Sequence, residues 1–279
     1  MLAAKKNVRC YRFEGDHCQS LEAQAITEAS ITLTVNGEDW LAFMCTPVEV
    51  EALAVGFLFN EGLIRSKDEI ASVRVCSTGD NVDVWLTHLV EKPAQWRRTS
   101  GCTGGVTGVS GAGKTVVDNP RLVPDGVVLS PEEIAGLVAG LYAAQDLHAS
   151  TGGVHTSALS DGQRILITAE DIGRHNTLDK IAGRCLLDEI NPLQRVLITT
   201  GRVSSEMMQK AARIGASVVI SRTAPSSLSI ELAEQSGITL IGYARHDRFT
   251  VYCHPERVVT SSGERPACWK TENGIETQA

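Results

Sequence analysis

The sequence predicts an α/β protein, and two patterns carry this prediction. In the second half of the chain, short apolar runs alternate with helical patterns. Such alternation indicates right-handed crossovers and a mostly parallel sheet in a three-layer α/β domain. In the first half, two hairpin patterns flank one helix, which indicates a smaller α+β subdomain. We therefore divide the chain into an N-terminal extension (1–29), an α+β subdomain (30–126), an α/β domain (127–259) and a disordered tail (260–279).

The first elements follow from their turn and capping residues. Asn36-Gly37 supplies the two left-handed positions of a tight turn between the strands of the first hairpin. Thr46-Pro47-Val48-Glu49 matches a capping box with proline at the first helical position, and Gly62 marks the end of the helix that follows. A second hairpin pattern surrounds Thr78-Gly79-Asp80-Asn81. These elements make up the predicted α+β subdomain.

Regular patterning disappears between His88 and Gly126, and this segment is predicted to be a loop. Its centre is rich in glycine and nearly free of large apolar residues, so it cannot bury enough surface to be rigid. The loop contains Cys102, and from Gly108 to Thr115 it matches the P-loop expression letter for letter, Lys114 included. A nucleotide P-loop needs a buried strand before it and a helix after it. The sequence offers neither, so a flexible loop is the favoured interpretation.

The α/β domain begins with a second capping box, Ser130-Pro131-Glu132-Glu133, and a helical pattern that continues to His148. A hairpin follows around Ser160-Asp161-Gly162, and a helix follows that hairpin. Strand and helix patterns then alternate as far as a last strand that ends at Cys253. Every one of these helices is short enough to be a crossover between neighbouring parallel strands.

Polar side chains crowd the turn after the strand pattern at Ile165–Ile167. They are Glu170, Asp171, Arg174, His175 and Asn176. The next helix is expected to be capped by Asn176 or Thr177. Turns at the carboxyl ends of strands in α/β sheets commonly bind ligands, yet an ion-paired cap fits the same spacing. Five polar side chains are more than a cap requires.

Two later turns have a similar character. Gly201 and Arg202 lie in a turn before a helix, where backbone amides and a guanidinium suit a phosphate. Arg222 and Ser226 begin the next such turn. One turn of this kind can be structural capping, but three at the ends of a sheet favour an anionic ligand. Arg174 and Arg202 would converge on it if their strands are adjacent.

Composition limits the classes of function. The 279 residues, 43% of them hydrophobic, suffice for a full core. The net charge of -7 argues against a nucleic-acid surface, so an anionic ligand would need a local cluster of arginines and amides. The charged N-terminal residues and the absence of a long apolar run predict a cytoplasmic protein without a membrane span.

Cysteine and histidine usage carries two further predictions. The eight cysteines include no CxxC pair, so in a reducing compartment they are expected to be free thiols. Those predicted to be small core residues are Cys45, Cys76, Cys185 and Cys253. His155 is followed by Thr156 and Ser157 rather than by the H-x-E of a zinc deaminase, so no catalytic metal is expected. A ligand contact and a structural hydrogen bond remain open for His155.

Four stretches of the sequence resemble signatures of the FdhD/NarQ family, the formate dehydrogenase accessory sulfurtransferases. In chain order they are Gly152–Thr156, Arg164–Gly183, Thr200–Glu206 and Leu240–Arg245. The resemblance runs from about Ser30 to about His254. It implies that the α/β domain has the cytidine-deaminase-like form and that the protein is a homodimer.

The resemblance also implies a chemistry, which begins at Cys102. Cys102 falls where the family has the first cysteine of a CxxC, and it would carry a persulfide received from a cysteine desulfurase. The acceptor would be the molybdenum bis-molybdopterin guanine dinucleotide cofactor of a formate dehydrogenase. The second cysteine is Gly105 in this chain, which removes a resolving thiol but leaves the one needed for transfer. Gly105 also favours an alternative, a chaperone that binds the cofactor without sulfur transfer.

The same resemblance implies where the cofactor binds. The family segment assigned to cofactor binding matches Phe249, Thr250, Val251, Tyr252, Cys253 and His254. Tyr252 and His254 are suited to stacking on a guanine or hydrogen bonding to it, although the alternation in this segment is also that of a plain strand. The other residues predicted to contribute are Arg174, His175, Gly201, Arg202 and His155.

Overall fold

The structure, a computed structural model, describes residues 2–98, 106–109, 127–193, 195–260 and 262–264. The chain folds into two compact units. The first comprises Met1–Asn119, Ala144–Ala158 and Ile167–Pro192, and the second comprises Pro120–Ala143, Leu159–Leu166 and Leu193–Ala279. Within the described ranges, no helix combines the length and the apolar composition needed to cross a bilayer. The predicted disordered tail lies outside the described residues from 265 onward.

The first unit begins with a two-stranded hairpin formed by β1 (Lys5–Glu14) and β2 (His17–Ile26). The chain reverses through Gly15, whose φ of 62° lies in the left-handed region that glycine adopts easily. These two strands lie in the segment predicted to be an N-terminal extension without strands. Most side chains of both strands are exposed, so no apolar face marked them as strands.

The small sheet of the first unit confirms both predicted hairpins. The elements are β3 (Ala29–Val35), β4 (Glu38–Cys45), α1 (Val50–Asn60), β5 (Ile70–Val75) and β6 (Asn81–Leu86). The strand order is β4-β3-β6-β5, and Asn36 and Gly37 at the first turn have φ values of 50° and 82°. Helix α1 packs on the sheet, with the rings of Phe43 and Phe57 edge to face at 5.2 Å. This contact lies within the apolar core of the unit.

The capping box predicted at Thr46 is wrong. Helix α1 starts at Val50, and its N-cap Glu49 has a φ of 50° and makes no side-chain cap. Thr46 instead forms hydrogen bonds with a segment far along the chain. Its N–H donates to Asp171 Oδ2 (3.1 Å), and its hydroxyl accepts from the N–H of Ile172 (3.2 Å). Tertiary hydrogen bonds have therefore taken the groups that a local cap would use.

The segment predicted to lack regular structure contains one short hairpin. It consists of β7 (Gln95–Arg98) and β8 (Val106–Val109), which pair antiparallel, so the prediction is wrong for these strands. Residues 99–105 and 110–126 lie outside the described residues. The predictions that fall there are the flexible glycine-rich loop, Cys102, Gly105 and Lys114.

The second unit opens with α2 (Pro131–Ala143). Its predicted capping box is confirmed, because the N–H of Glu133 donates to Ser130 Oγ (3.2 Å) and the N–H of Ser130 donates to Glu133 Oε2 (2.8 Å). The helix ends earlier than predicted. The residues up to His148 belong partly to a separate short helix of the first unit, α3 (Asp146–Thr151).

Strands and helices alternate through the rest of the chain, as predicted for the α/β domain. The elements are β9 (His155–Ser160), β10 (Ile165–Asp171), α4 (Arg174–Leu187), β11 (Val196–Thr199), α5 (Ser205–Ile214), β12 (Val218–Ser221), α6 (Ser227–Ser236), β13 (Thr239–Gly242) and β14 (Thr250–Cys253). The sheet has the order β10-β9-β11-β12-β13-β14; β11, β12 and β13 are parallel, and β14 is antiparallel to β13. The described residues thus form a mixed α/β structure.

Helix α4 crosses α1 within the first unit at two glycines. A Cβ on Gly56 would lie 1.7 Å from the carbonyl oxygen of Asp179, and one on Gly183 would lie 1.9 Å from that of Ala52. The two backbones are therefore in direct contact, and neither glycine can carry a side chain without moving a helix. This contact fixes α4, and with it the turn that leads from β10 into the helix.

Candidate functional site

The turn between β10 and α4 is organised around Asp171. The carboxylate is fully buried and forms an ion pair with the equally buried Lys180 at 2.6 Å. Its Oδ2 also accepts from the N–H of Thr46, and its Oδ1 accepts from the N–H of Gly173 (2.7 Å) and from Asn176 Nδ2 (2.9 Å). Four donors therefore surround one carboxylate, as burial of a charge requires. Asp171 holds segments together and offers no open oxygen to a ligand.

Glu170 is used in the same way. Its two carboxylate oxygens accept from the N–H groups of Leu147 (2.7 Å) and His148 (2.9 Å) at the start of α3, and the Thr156 hydroxyl donates to Oε1 (3.3 Å). Asn176 also donates to the carbonyl of Met44 (3.0 Å). For these side chains the turn is a structural cap, one of the two interpretations that the sequence left open.

The predicted capping of α4 by Asn176 or Thr177 is wrong. The helix begins at Arg174, and Gly173 is its N-cap without a side-chain cap. Asp171 Oδ1 receives the N–H of Gly173 in that position. Thr177 instead donates its hydroxyl proton to the carbonyl of Arg174 at 2.7 Å. Asp171 thus accepts the N–H of the N-cap residue, and neither Asn176 nor Thr177 caps the first amides of α4.

His155, Arg174 and His175 are the other predicted binding residues of the first unit. Arg174 and His175 begin α4 and are 4% and 1% exposed, and His155 begins β9 and is half-buried. Burial lowers the pKa of His155, and the positive charge of Arg174 lowers it further. His155 is therefore a neutral imidazole near pH 7, with a guanidinium charge close by. Cofactor binding by these three residues stays a prediction.

Gly201 and Arg202 lie in the second unit, after β11. The N–H of Gly201 donates to Thr199 Oγ1 (3.1 Å), and its carbonyl accepts from the Ser221 hydroxyl (2.8 Å). The amide of this glycine is thus occupied within the turn, whereas the side chain of Arg202 is exposed. The guanidinium of the predicted phosphate turn remains suited to a ligand. Its convergence with Arg174, which belongs to the first unit, stays a prediction.

The segment predicted to bind the cofactor forms β14 and its flanks. Cys253 is buried, its Sγ donates to the carbonyl of Ile238, and burial raises its pKa to about 11. The ring nitrogens of His254 contact Glu256 Oε1 (3.1 Å) and the carbonyl of Glu234 (2.9 Å). Burial also raises the pKa of Tyr252. The side chain of Thr250 is exposed, whereas Phe249, Val251 and Tyr252 are half-buried. The roles of all six residues toward a ligand stay predictions.

One of the four cysteines predicted to lie in the core is not buried there. Cys45 and Cys185 are buried as predicted, and burial raises the pKa of each thiol to about 12. Cys76 is only half-buried, so its assignment to the core is wrong. Its Sγ lies 3.1 Å from Thr78 Oγ1 and 3.1 Å from Asp80 Oδ1, and the Thr78 hydrogen bond lowers its pKa below the ordinary value. Cys76 belongs to the polar turn between β5 and β6.

The second unit has a basic pocket, which we call the Arg222–Arg245 pocket; Arg222 begins one of the three turns predicted to favour an anionic ligand, whereas its grouping with Arg245 and Tyr142 was not predicted. The pocket has a volume of about 340 Å³ and is lined by Ala135, Val138, Ala139, Tyr142, Arg222, Arg245 and His246. A signal was present, because Arg222 and Arg245 follow the parallel strands β12 and β13 and so belong to the same edge of the sheet. Nothing in the sequence indicated that Tyr142 of α2 lines the same pocket.

Comparisons with known proteins agree with this architecture. A sequence model of the FdhD/NarQ family matches residues 26–259. Proteins named "Sulfur carrier protein FdhD" are 36% identical over 251 residues in Bacillus subtilis (strain 168) and 35% identical over 253 residues in Staphylococcus aureus (strain MRSA252). These alignments cover 89% and 90% of this chain and 95% of each relative. A crystal structure from Desulfotalea psychrophila, described as a formate dehydrogenase accessory protein, is similar with a TM-score of 0.74 and 27% identity, over 92% of this chain and all of that one.

Proposed function

Because the chain belongs to the FdhD/NarQ family, we propose that it is a cytoplasmic sulfur carrier that serves a formate dehydrogenase. As a sulfurtransferase it would accept persulfide sulfur from a cysteine desulfurase on Cys102. It would pass that sulfur to the molybdenum bis-molybdopterin guanine dinucleotide cofactor, and it would act as a homodimer with a cytidine-deaminase-like α/β domain. The observation that carries the proposal is the family match over residues 26–259, which includes Cys102.

The loading step needs one thiol of this chain. The Cys102 thiolate attacks the outer sulfur of the persulfide on the desulfurase, a new S–S bond forms, and the desulfurase cysteine leaves as a thiolate. The persulfide now sits on Cys102, and no net oxidation or reduction has occurred. Gly105 does not interfere, because its missing thiol takes no part in this exchange.

Delivery as sulfide would need a second thiol. That thiolate attacks the sulfur bonded to Cβ of Cys102, the persulfide S–S bond breaks, sulfide leaves, and a disulfide remains. The sulfane sulfur is thereby reduced by two electrons, and the two thiols are oxidised. Residue 105 is glycine, so the second thiol must come from another cysteine of the chain, from an external thiol compound or from a partner protein.

The residues of the second unit fit an acceptor that carries phosphate groups. The exposed Arg202 follows β11, and Arg222 and Arg245 follow β12 and β13. Guanidinium groups bind phosphate oxygens through paired N–H donors. Tyr252, on the antiparallel strand β14, adds an aromatic ring to the same sheet. In the proposal these residues bind and orient the guanine dinucleotide end of the acceptor.

Gly105 supports a second candidate function, in which the protein binds the cofactor as a chaperone without sulfur transfer. The two candidates differ in one group, the thiol of Cys102. Both predict ligand binding by the second unit, so binding measurements alone do not distinguish them.

The experiment that distinguishes them follows sulfur on intact protein. After incubation with a cysteine desulfurase and cysteine, mass spectrometry should show the mass of one added sulfur atom on the wild-type chain and none on Cys102→Ser. Cys18→Ser is the matched control, because Cys18 is exposed and should leave loading intact. Cys102→Ser should also abolish maturation of a formate dehydrogenase. Normal maturation by Cys102→Ser would exclude the carrier and leave the chaperone.

Gly105→Cys restores the second cysteine of the family motif. If an external thiol now completes delivery, the variant should mature the dehydrogenase with a weaker dependence on added thiol than the wild type. An unchanged thiol dependence would show that residue 105 has no part in sulfur release.

A further inference from the structure

The hairpin of β1 and β2 is attached to the first unit at its base and exposed toward its turn. At the base, Lys5 Nζ donates to Ser150 Oγ of α3 (3.1 Å). Toward the turn, large apolar side chains of β1 are exposed: Val8 at 41%, Tyr11 at 62% and Phe13 at 68%. A two-stranded hairpin with an open apolar surface is marginally stable at best in water. These strands of 10 residues each would therefore be stabilised by a further strand beside them.

The outer edge of β1 carries backbone groups that β2 does not use. In an antiparallel pair, residues that bond to the partner strand alternate with residues whose N–H and C=O point away from it. The N–H of Thr27 donates to the carbonyl of Ala4 (2.8 Å), and from there the two strands pair one to one, so the even-numbered residues of β1 bond to β2. Among the described residues β1 pairs with no strand other than β2. The residues that direct their N–H and C=O to the free edge are therefore Lys5, Asn7, Arg9, Tyr11 and Phe13.

The charges of β1 select one register for pairing with a second copy of the same strand. Odd-numbered residues must face odd-numbered ones across this edge, so two antiparallel registers use nearly the whole strand, one centred on Arg9 and one on Cys10. The first places Arg9 opposite its own equivalent and Lys6 opposite the partner's Arg12, so like charges face each other. The second places Lys6 opposite the partner's Glu14, and two-fold symmetry repeats this pair of opposite charges. The register centred on Cys10 is therefore the favoured one.

We infer that β1 binds β1 of a second copy of this chain, antiparallel and centred on Cys10, so that the two hairpins form one sheet. The pairing satisfies the free backbone groups of both edges. It also places Arg9 opposite the partner's Tyr11 and Asn7 opposite the partner's Phe13, which covers the exposed aromatic rings with polar side chains and lets the guanidinium lie on a ring. The inference rests on the homodimer of the proposed function and deepens it, because it names the surface that joins the two copies. The residues matched by the family model begin at 26, after most of this hairpin.

The first test is a disulfide between the Cys10 residues of two copies. Directly opposite residues of a non-hydrogen-bonded pair have Cα atoms about 4.5 Å apart, which is within the range that a disulfide spans. Diamide should therefore oxidise the two thiols to one disulfide, while its N=N group takes up the two electrons and two protons. Mass spectrometry should find a peptide linked through Cys10 to Cys10 in the wild type and none in Cys10→Ser. Cys18→Ser is the matched control, because Cys18 is an exposed cysteine of the same hairpin, and it should keep the linked peptide. Absence of that peptide from the oxidised wild type would overturn the register.

The second test blocks the edge with proline and measures the dimer dissociation constant of the full chain by analytical ultracentrifugation. Arg9→Pro removes an N–H that points to the free edge of β1, a position where a strand tolerates proline. It should weaken the dimer by about ten- to a hundredfold, since two backbone hydrogen bonds are lost per dimer. Glu22→Pro is the matched control, because Glu22 lies opposite Arg9 in the hairpin and its N–H points to the outer edge of β2. Its dissociation constant should equal that of the wild type.

Two results would overturn the interface: a monomeric wild type, or a folded Arg9→Pro that dimerises as tightly as Glu22→Pro. A charge exchange adds a check on the register. Lys6→Glu places like charges opposite each other and should weaken the dimer, and adding Glu14→Lys should restore it; equal dissociation constants for the single and the double variant would contradict the register. Sulfur loading of Cys102 is measured on the same variants. The interface therefore fails on the association data, and the sulfur carrier fails on the loading data.

Discussion

The turn between β10 and α4 and the Arg222–Arg245 pocket both gather charged side chains at the ends of strands, but they treat the charge in opposite ways. In the turn, the buried Asp171 has Lys180 and three further donors. In the pocket, Arg245 donates to the backbone carbonyl of Arg222, and no carboxylate of the described residues lines the pocket with the two arginines. The turn has the greater number of polar residues, yet its buried carboxylate has a counter-charge, whereas the two arginines of the pocket have none beside them. The number of polar groups is therefore a weaker sign of a binding site than the balance of their charges and hydrogen bonds.

The largest effect is expected from breaking the ion pair between Asp171 and Lys180 in the turn. Lys180→Met should lower the free energy of unfolding by about 3–5 kcal/mol, because it leaves the Asp171 carboxylate buried without its counter-charge. The measurement is chemical denaturation monitored by circular dichroism. Lys67→Met is the matched control, since Lys67 pairs with Glu189 at the surface, and it should cost no more than about 1 kcal/mol.

A double variant separates the charge from the packing at this site. Asp171→Asn combined with Lys180→Met removes both charges, so it should recover part of the stability that Lys180→Met loses. If Lys180→Met costs as little as Lys67→Met, the turn does not depend on its ion pair. Asp171 would then be open to a functional role.

The same contrast explains which parts of the structure the sequence could predict. The hairpin turn at Asn36-Gly37 was predictable because two adjacent residues fix its left-handed backbone. The parallel strands were predictable because strands buried on both faces are continuous apolar runs, as in β11 and β12. The hairpin of β1 and β2 was not predicted because exposed strands lack such an apolar run.

The failed predictions share one physical cause. Thr46 matched a capping motif, but its backbone N–H is bound by Asp171, 125 residues away in the chain. The Asn176 side chain likewise bonds to the distant carbonyl of Met44. Local motifs list the hydrogen bonds that a residue can make, whereas the fold decides which of them it makes. The Arg222–Arg245 pocket needed Tyr142 from another element, so only one edge of it was visible in the sequence.

A smaller effect is expected from the pH dependence of His155. Its pKa is lowered in the folded state, chiefly by burial and then by Arg174 and His148, with Asp171 acting in the opposite direction. The unfolded chain therefore binds the proton more readily, and stability should fall as the pH drops below about 6.5, by at most about 1.4 kcal/mol per pH unit for one proton. His155→Gln should remove this contribution when denaturation is compared between pH 7.5 and pH 5.5, with ~6.5 as the ordinary pKa between them.

His17 provides the control for that measurement. Its ring is exposed on the hairpin of β1 and β2, so His17→Gln should keep the pH dependence of the wild type. An identical pH dependence in the wild type and His155→Gln would mean that His155 is not held neutral by its surroundings. His155 would then bring no unusual protonation state to the candidate site.

The smallest expected effect is the stability of Arg222→Gln without ligand. The variant loses a cation–π contact with Tyr142, typically worth about 0.5–1 kcal/mol, but it also loses the repulsion from Arg245 and the buried Nε without a partner. These terms oppose each other, so the free energy of unfolding should change by no more than about 0.5 kcal/mol. The charge of Arg222 would thus be nearly dispensable for the fold, unlike that of Lys180. Added pyrophosphate should then separate the two variants: a ligand that binds only the folded state raises the melting temperature, and this rise should persist in a folded Lys180→Met and be lost in Arg222→Gln. If Arg222→Gln alone costs several kcal/mol, the arginine is structural, and the two regions do not differ as their hydrogen bonds indicate.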